Sequence, residues 1–177
     1  MSKSRIQIVA IVALLLALAA PLVAQTVAPK GDEAKLIAVL KSAQASRQDK
    51  IAACRQLAIM GGKDSIAPLA ALLGSAELSH NARYALEPNP DPAVDAAFRE
   101  ALGKVRGLPL VGVIGSIGVR RDAQAVGTLA KFLGDSDVVV ARAAARALGQ
   151  IGTAEAAKAL QTALPQAPAA VKLDFCE

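Results

Sequence analysis

The chain has 177 residues, a length suited to one domain, and is 54% hydrophobic, yet its only aromatic residues are Tyr84, Phe98, Phe132 and Phe175. Its net charge of +5 is diffuse, with no basic run of the kind that binds nucleic acid. A single histidine excludes a His-rich metal site, and Cys54 and Cys176, the only cysteines, match no zinc or haem spacing.

The first 24 residues have the order of a secretory leader. Lys3 and Arg5 are followed by the apolar run IQIVAIVALLLALAA, then Pro21 and the small-residue end LVA before Gln25. Cleavage after Ala24 is expected. The competing reading is an uncleaved membrane anchor, because the stretch 6–24 lies near the lower length limit for crossing a bilayer. No cysteine follows the cut, which argues against a lipoprotein. Losing the leader removes two of the 20 basic residues and none of the 15 acidic ones, so the net charge falls from +5 to +3. The expectation is an exported protein, periplasmic or extracellular, with residues 25–31 as a linker and no membrane contact after cleavage.

From residue 32 onward, short blocks carry apolar residues at helical spacing. DEAKLIAVLKS (32–42) opens on Asp32 and Glu33, read as helix-start charges. RQDKIAACRQLAIMGG (47–62) is a second helix, and KDSIAPLAALLG (63–74) a third. LSHNARYALEP (78–88) ends in the prolines of residues 87–90, which stop the helix and predict a tighter joint. In DPAVDAAFREALG (91–103), Asp91 can cap the helix and Pro92 can take its first position. GLPLVGVIGSIG (107–118), RDAQAVGTLAKFLG (121–134), VVVARAAARALGQIG (138–152) and TAEAAKALQTALP (153–165) continue the alternation. A last short block from Pro168 leaves Val171, Leu173, Phe175 and Cys176 without a following repeat to cover them. Solenoid ends need a polar cap, so self-association through this end, or a longer parent chain, is expected.

Helix A, turn, helix B, turn therefore repeats at intervals of about 27 to 34 residues. On IAPLAALLG in an A helix and ARAAARALGQIG in a B helix, with Asp64 and Asp122 opening A helices, the chain resembles the HEAT-repeat family, in particular the short repeats of the phycocyanobilin-lyase type. The resemblance covers residues 32–177. It implies an all-α, right-handed α-solenoid of about five helix pairs, an armadillo-like superhelix whose B helices line the concave surface. The function expected from it is a non-enzymatic scaffold that binds a protein or peptide, without a cofactor. An accessory or lyase-like chromophore-handling domain is the alternative, and a third reading is the N-terminal piece of a larger secreted protein. Fold alone does not choose among them.

The glycines of GVIGSIGVRRD (112–122) first suggest a phosphate loop. Dinucleotide loops need Gly-x-Gly-x-x-Gly after a strand, whereas these fall at intervals of three within a helical pattern. Aligning the B helices places Gly118 with Gly152 and Gly61, which predicts a helix-ending glycine in the left-handed conformation. Gly115 aligns with Gly149 and predicts a close approach of neighbouring helices. Ser116 is in no nucleophile elbow, because Ile114 occupies the first glycine position. Arg120 and Arg121 read as a solvated inter-repeat turn, with an anion site as the alternative.

No nucleophile–base pair emerges around His80, and no paired carboxylates point to acid–base chemistry. Cys54 lies among Ile51, Leu57 and Ala58 and reads as a core thiol. Its separation from Cys176 along the solenoid, roughly 30–40 Å at about 10 Å per packed helix, argues against a disulfide. One helix face stands out instead. His80, Arg83, Tyr84 and Glu87 recur at i, i+3, i+4 and i+7, with Leu78, Ala82, Ala85 and Leu86 expected on the core side. The B-helix alignment adds Arg55, Gly112 and Arg146 at the level of Tyr84, and Leu108 and Arg142 one turn earlier. These residues describe cationic and aromatic side chains flanking a bare floor at Gly112, a surface suited to an acidic protein or peptide. The plainer reading makes Arg83–Glu87 an i,i+4 pair and packs Tyr84 on the next repeat. The block at residues 108–117 is apolar almost all round and is expected to be covered on both sides.

Overall fold

The computed structural model describes residues 30–167 and 172. The expected leader, most of the linker, Cys176 and all but Lys172 of the last B helix lie outside those residues. The described helices are α1 (Lys30–Lys41), α2 (Arg47–Met60), α3 (Ile66–Ala70), α4 (Ser79–Leu86), α5 (Ala93–Leu102), α6 (Gly107–Arg120), α7 (Val126–Phe132), α8 (Val138–Ile151) and α9 (Ala154–Ala163). Turns of 3₁₀ helix, Lys63–Ser65 and Ala123–Ala125, lead into α3 and α7, and Leu164–Gln166 follows α9. No strand occurs among the described residues. The first helix begins at Lys30.

Local chemistry explains most helix starts. Ser46 Oγ accepts the Asp49 N–H while the Asp49 carboxylate accepts the Ser46 N–H, a reciprocal capping box. Asp91 Oδ1 accepts from the Ala93 N–H at 2.8 Å, Asp122 Oδ1 from the Gln124 N–H, Asp137 Oδ1 from the Val139 N–H, and Thr153 Oγ1 from the Ala156 N–H. Each satisfies a donor that the first helical turn leaves orphaned. Helix α8 ends at Gly152 in the left-handed region, φ 69°.

Each odd-numbered helix from α1 to α7 packs against the even-numbered helix that follows it, and α9 packs on α7 and α8. The even-numbered helices form one layer, α2 on α4, α4 on α6 and α6 on α8. The arrangement is that of a helical-repeat solenoid built by stacking helix pairs. One continuous core runs between the layers, from Leu40 and Leu57 through Leu86, Phe98 and Ile114 to Leu129, Leu148 and Ala156. Phe98 is fully buried, and truncating a phenylalanine in such a site costs roughly 3–5 kcal/mol. The expected core side of α4 is as the periodicity placed it: Leu78, Ala82, Ala85 and Leu86 are all buried.

The α6–α8 joint corrects the glycine assignment. Helix α6 runs two residues beyond Gly118, to Arg120, and the left-handed residue is Arg121, φ 54°. Gly118 is a buried helical residue. A Cβ there would meet the side-chain oxygen of Gln150 and lie 2.8 Å from Ala147 Cα and 3.1 Å from Ala147 Cβ. The missing side chain therefore serves the crossing of two helices, not a reversal of the chain. Gly61 likewise has an ordinary extended backbone, φ −66°. Gly115 shows the opposite error: no atom lies within 4 Å of where its Cβ would be, so it is not a packing glycine.

Candidate functional site

Two sets of polar residues line the layer of even-numbered helices, one tied inward and one facing out. The inward set begins at α4. Arg83 reaches across to α6, and its guanidinium fills the space over Gly112, whose Cβ would lie 2.5 Å from Arg83 Nε. The bare floor expected at Gly112 is therefore already covered from within the chain. Ser116 Oγ donates to Glu87 Oε1 at 2.6 Å, Arg83 Nη1 stands 3.3 Å from Ser116 Oγ and 3.6 Å from Glu87 Oε1, and Arg83 Nη2 is 3.4 Å from His80 Nδ1. Arg83 Nε is buried without an acceptor. Burial lowers the Arg83 pKa from its ordinary value, and the Glu87 charge opposes that shift. Arg83 and Glu87 do form the simple i,i+4 pair, but their main role is to lock α4 onto α6.

The seam continues through the turns. Arg120 Nε meets Asp95 Oδ1 at 2.5 Å, and Arg120 Nη1 donates to the carbonyls of Glu87 and Asn89. Asn89, buried between Pro88 and Pro90, donates from Nδ2 to the carbonyls of Gly61 and Gly62. Glu33 Oε1 accepts the Gly62 N–H at 2.7 Å, so it is a tie between α1 and the next turn as well as a helix-start charge. Arg99 pairs with the buried Asp122 at 2.5 Å. The two arginines expected in a solvated turn thus divide. Arg120, 11% exposed, is a structural fork, and Arg121 is the exposed, left-handed residue after it. The departure at residues 87–90 places Asn89 where it can bridge two repeats. Its partners are 27 and 28 residues away, and no local pattern announces them.

The outward set includes the other expected residues. Arg55, His80, Tyr84, Arg142 and Arg146 are exposed on α2, α4 and α8. Tyr84 is 57% exposed and does not pack under the next repeat. Helix α6 is covered by α4 on one side and α8 on the other, as its composition implied, but its outer strip is open: Leu108 is 80% exposed and Val119 61%. Ile59 on α2, 91% exposed, and Val139 on α8 extend the apolar surface. Sequence reasoning missed Ile59, although it stands one turn beyond Arg55 on the same face. The structure therefore keeps Arg55, His80, Tyr84, Arg142 and Arg146 on one layer of helices, adds Ile59, Leu108 and Val119 to them, and withdraws Arg83 and Gly112 into the seam.

Helices α2, α4, α6 and α8 carry Arg47, Lys50, Arg55, Arg83, Arg120, Arg142 and Arg146 beside the carboxylate Asp49, and carboxylates just outside or across from these helices balance three of them: Glu77 pairs with Arg47, Glu87 with Arg83 and Asp95 with Arg120. Asp49 is committed to the Ser46 cap, and its pKa is lowered from the ordinary value by the hydrogen bonds from Ser46.

Elsewhere the chemistry is sparse. Cys54 is fully buried, and desolvation pushes its thiol up to about 11. No cluster of three or more His, Cys, Asp or Glu side chains able to hold a metal occurs among the described residues, and no described helix is long and apolar enough to cross a membrane. A groove of about 680 Å³ lies between α3 and α5, lined mainly by alanines such as Ala67, Ala70, Ala93 and Ala97, with Lys63, Glu100 and Lys104 as its charged groups. Glu100 and Lys104 pair with each other, and no nucleophile stands beside them.

No curated protein matches the chain. Residues 110–174, which begin within α6 and include α7, α8 and α9, match the family model described as HEAT repeats, and this match supports a HEAT-repeat protein with the helical-solenoid architecture seen here.

Proposed function

We propose that this chain is an exported, non-enzymatic interaction module, a right-handed solenoid of about five repeats whose even-numbered helices receive a protein or peptide. HEAT repeats commonly mediate protein–protein interaction, and the family is generally non-catalytic. One observation carries the choice of face. Ile59, Tyr84, Leu108 and Val119 stand exposed on three consecutively packed helices, and Arg55, Arg142 and Arg146 are exposed on the same layer. Exposed apolar groups gathered on one surface mark interaction sites, and Tyr and Arg are the residues that concentrate binding energy there. Export rests on the order of charge, apolar run and small residues before Gln25.

The test is a partner pull-down from periplasmic extract, followed by the double variant Tyr84→Ala/Arg146→Ala. Binding is expected to weaken by about 2 kcal/mol or more with an unchanged melting temperature, since both side chains are exposed. Undiminished binding would move the site to the turns near Arg121. N-terminal sequencing of the secreted product should begin at Gln25; a membrane-bound product retaining residues 1–24 would favour the anchor.

A further inference from the structure

We propose that the groove between α3 and α5 binds a single-chain anionic amphiphile, an alkyl carboxylate of about 12 carbons. The groove lies between odd-numbered helices, so the inference goes beyond the reading of the even-numbered layer and does not depend on it. Small residues facing one another create the space: Ala67, Ala70 and Ala71 form one wall, and Ala93, Ala96 and Ala97 the other. The floor is apolar as well, with Leu73 and Val105 buried. The volume of about 680 Å³ falls within the range of about 300–1,000 Å³ typical of small-molecule sites. Such sites have mostly apolar walls and a few polar groups. Here the polar side chains of the lining are Lys63, Glu100 and Lys104 alone.

Length and charge narrow the ligand. Gly74 and Val105 close one end, where a Cβ at Gly74 would lie 3.5 Å from Val105 Cγ1. Lys63 marks the other end, about 16 Å away at helical rise. An extended alkyl chain of about 12 carbons spans that length, with bonds near 1.5 Å. An alkyl chain needs no hydrogen bonds, whereas an extended peptide would bring its amides to alanine walls that offer no side-chain partner. Glu100 and Lys104 pair with each other and are both largely exposed. Lys63 makes no ion pair among the described residues. Asp64 beside it does not line the groove, and Glu33 is committed to the Gly62 N–H. The lining therefore carries one uncompensated positive charge, at Lys63. A carboxylate beside the Lys63 ammonium completes the pairing, and the alkyl chain runs from there along the alanines toward Gly74. Apolar burial supplies most of the affinity, and the exposed ion pair selects the sign of the head group.

The probe is dodecanoate, kept at concentrations where it is monomeric and titrated into the full chain by isothermal calorimetry. One saturable site is expected, with hexanoate at least about tenfold weaker because it buries half the methylenes. Ala71→Leu/Ala96→Leu fills the groove from two exposed positions. It should weaken dodecanoate by about tenfold or more without lowering the melting temperature. Lys63→Glu should weaken dodecanoate by about fivefold and strengthen the binding of dodecyltrimethylammonium. Absence of saturable dodecanoate binding overturns the proposal. Binding that survives Ala71→Leu/Ala96→Leu undiminished puts the amphiphile elsewhere and overturns the site. Dodecyltrimethylammonium bound as tightly as dodecanoate by the native chain overturns the anionic head group. Retention on vesicles containing anionic phospholipid, without binding of free dodecanoate, replaces the single-chain ligand by a bilayer surface and overturns it too. The face of the even-numbered helices is tested separately by Tyr84→Ala/Arg146→Ala, so either reading can fail alone.

Discussion

Gly115 and Gly118 are one turn apart on the same helix, and replacing each by alanine should move stability in opposite directions. Both substitutions gain about 1 kcal/mol of helix propensity. At Gly115 nothing opposes that gain, because the new Cβ enters open space. At Gly118 the Cβ would lie 2.8 Å from Ala147 Cα, against an optimum of about 3.5–4.0 Å for two carbon atoms. Gln150 is an exposed side chain and can swing away, but the backbone of α8 cannot, so the α6–α8 joint must open by close to an ångström. Overpacking of this kind costs about 1–3 kcal/mol, which leaves Gly118→Ala destabilised by up to about 2 kcal/mol. The two variants should differ by roughly 2 kcal/mol, or about 6 °C in melting temperature for a chain of this length. Urea unfolding followed by far-UV circular dichroism measures it, read as a shift in midpoint at constant slope. Gly118→Asn separates the causes. Asparagine tolerates a left-handed backbone, so it would be the mildest change if Gly118 ended the helix; against Ala147 it should be worse than alanine. A Gly118→Ala protein as stable as Gly115→Ala would refute the close-packing explanation.

At Arg121, φ 54°, glycine should be better than the native residue by about 1 kcal/mol, and thermal melting would show a gain of a few degrees; a loss would mean that the exposed guanidinium makes a contact worth more than the strain. Arg120→Met should cost about 2 kcal/mol or more, because Asp95 and the carbonyls of Glu87 and Asn89 lose their donor together, and a double-mutant cycle with Asp95→Ala should reveal coupling of about 1 kcal/mol. Cys54, with its thiol pushed up to about 11, holds its proton in the folded state at pH values where an unfolded cysteine, near 8.5, has lost it. Its contribution to stability is therefore complete below about pH 8.5 and is lost as the pH rises toward 11. In a Cys176→Ser background, Ellman's reagent at pH 8 should find no fast thiol until the chain unfolds; rapid native reactivity would contradict the burial of Cys54.

What the sequence determined by itself is what a helix can encode locally. Apolar spacing identifies the core side of α4, because residues three and four apart share a face whatever lies beyond it. Ser46, Asp91, Asp122, Asp137 and Thr153 mark helix starts, because a cap bonds only two or three residues away. Gly152 ends α8 for the same local reason. The exposed residues Arg55, His80, Tyr84, Arg142 and Arg146 were likewise readable from register alone. The tertiary structure decided everything that depends on how far apart two helices stand and which way each is turned. Glycines at intervals of three offer several places to end α6, but the helix runs to Arg120 with Arg121 left-handed after it, and Gly118 stays helical against Ala147 of α8. The space left by Gly112 looks empty in one dimension, but Arg83, 29 positions earlier in the chain, fills it. Arg120 has donors for several acceptors, and only the stacking of the repeats brings Asp95, Glu87 and Asn89 around it. Such contacts arise from the rotation and separation of whole helices, which every side chain at the joint sets jointly and no single repeat encodes.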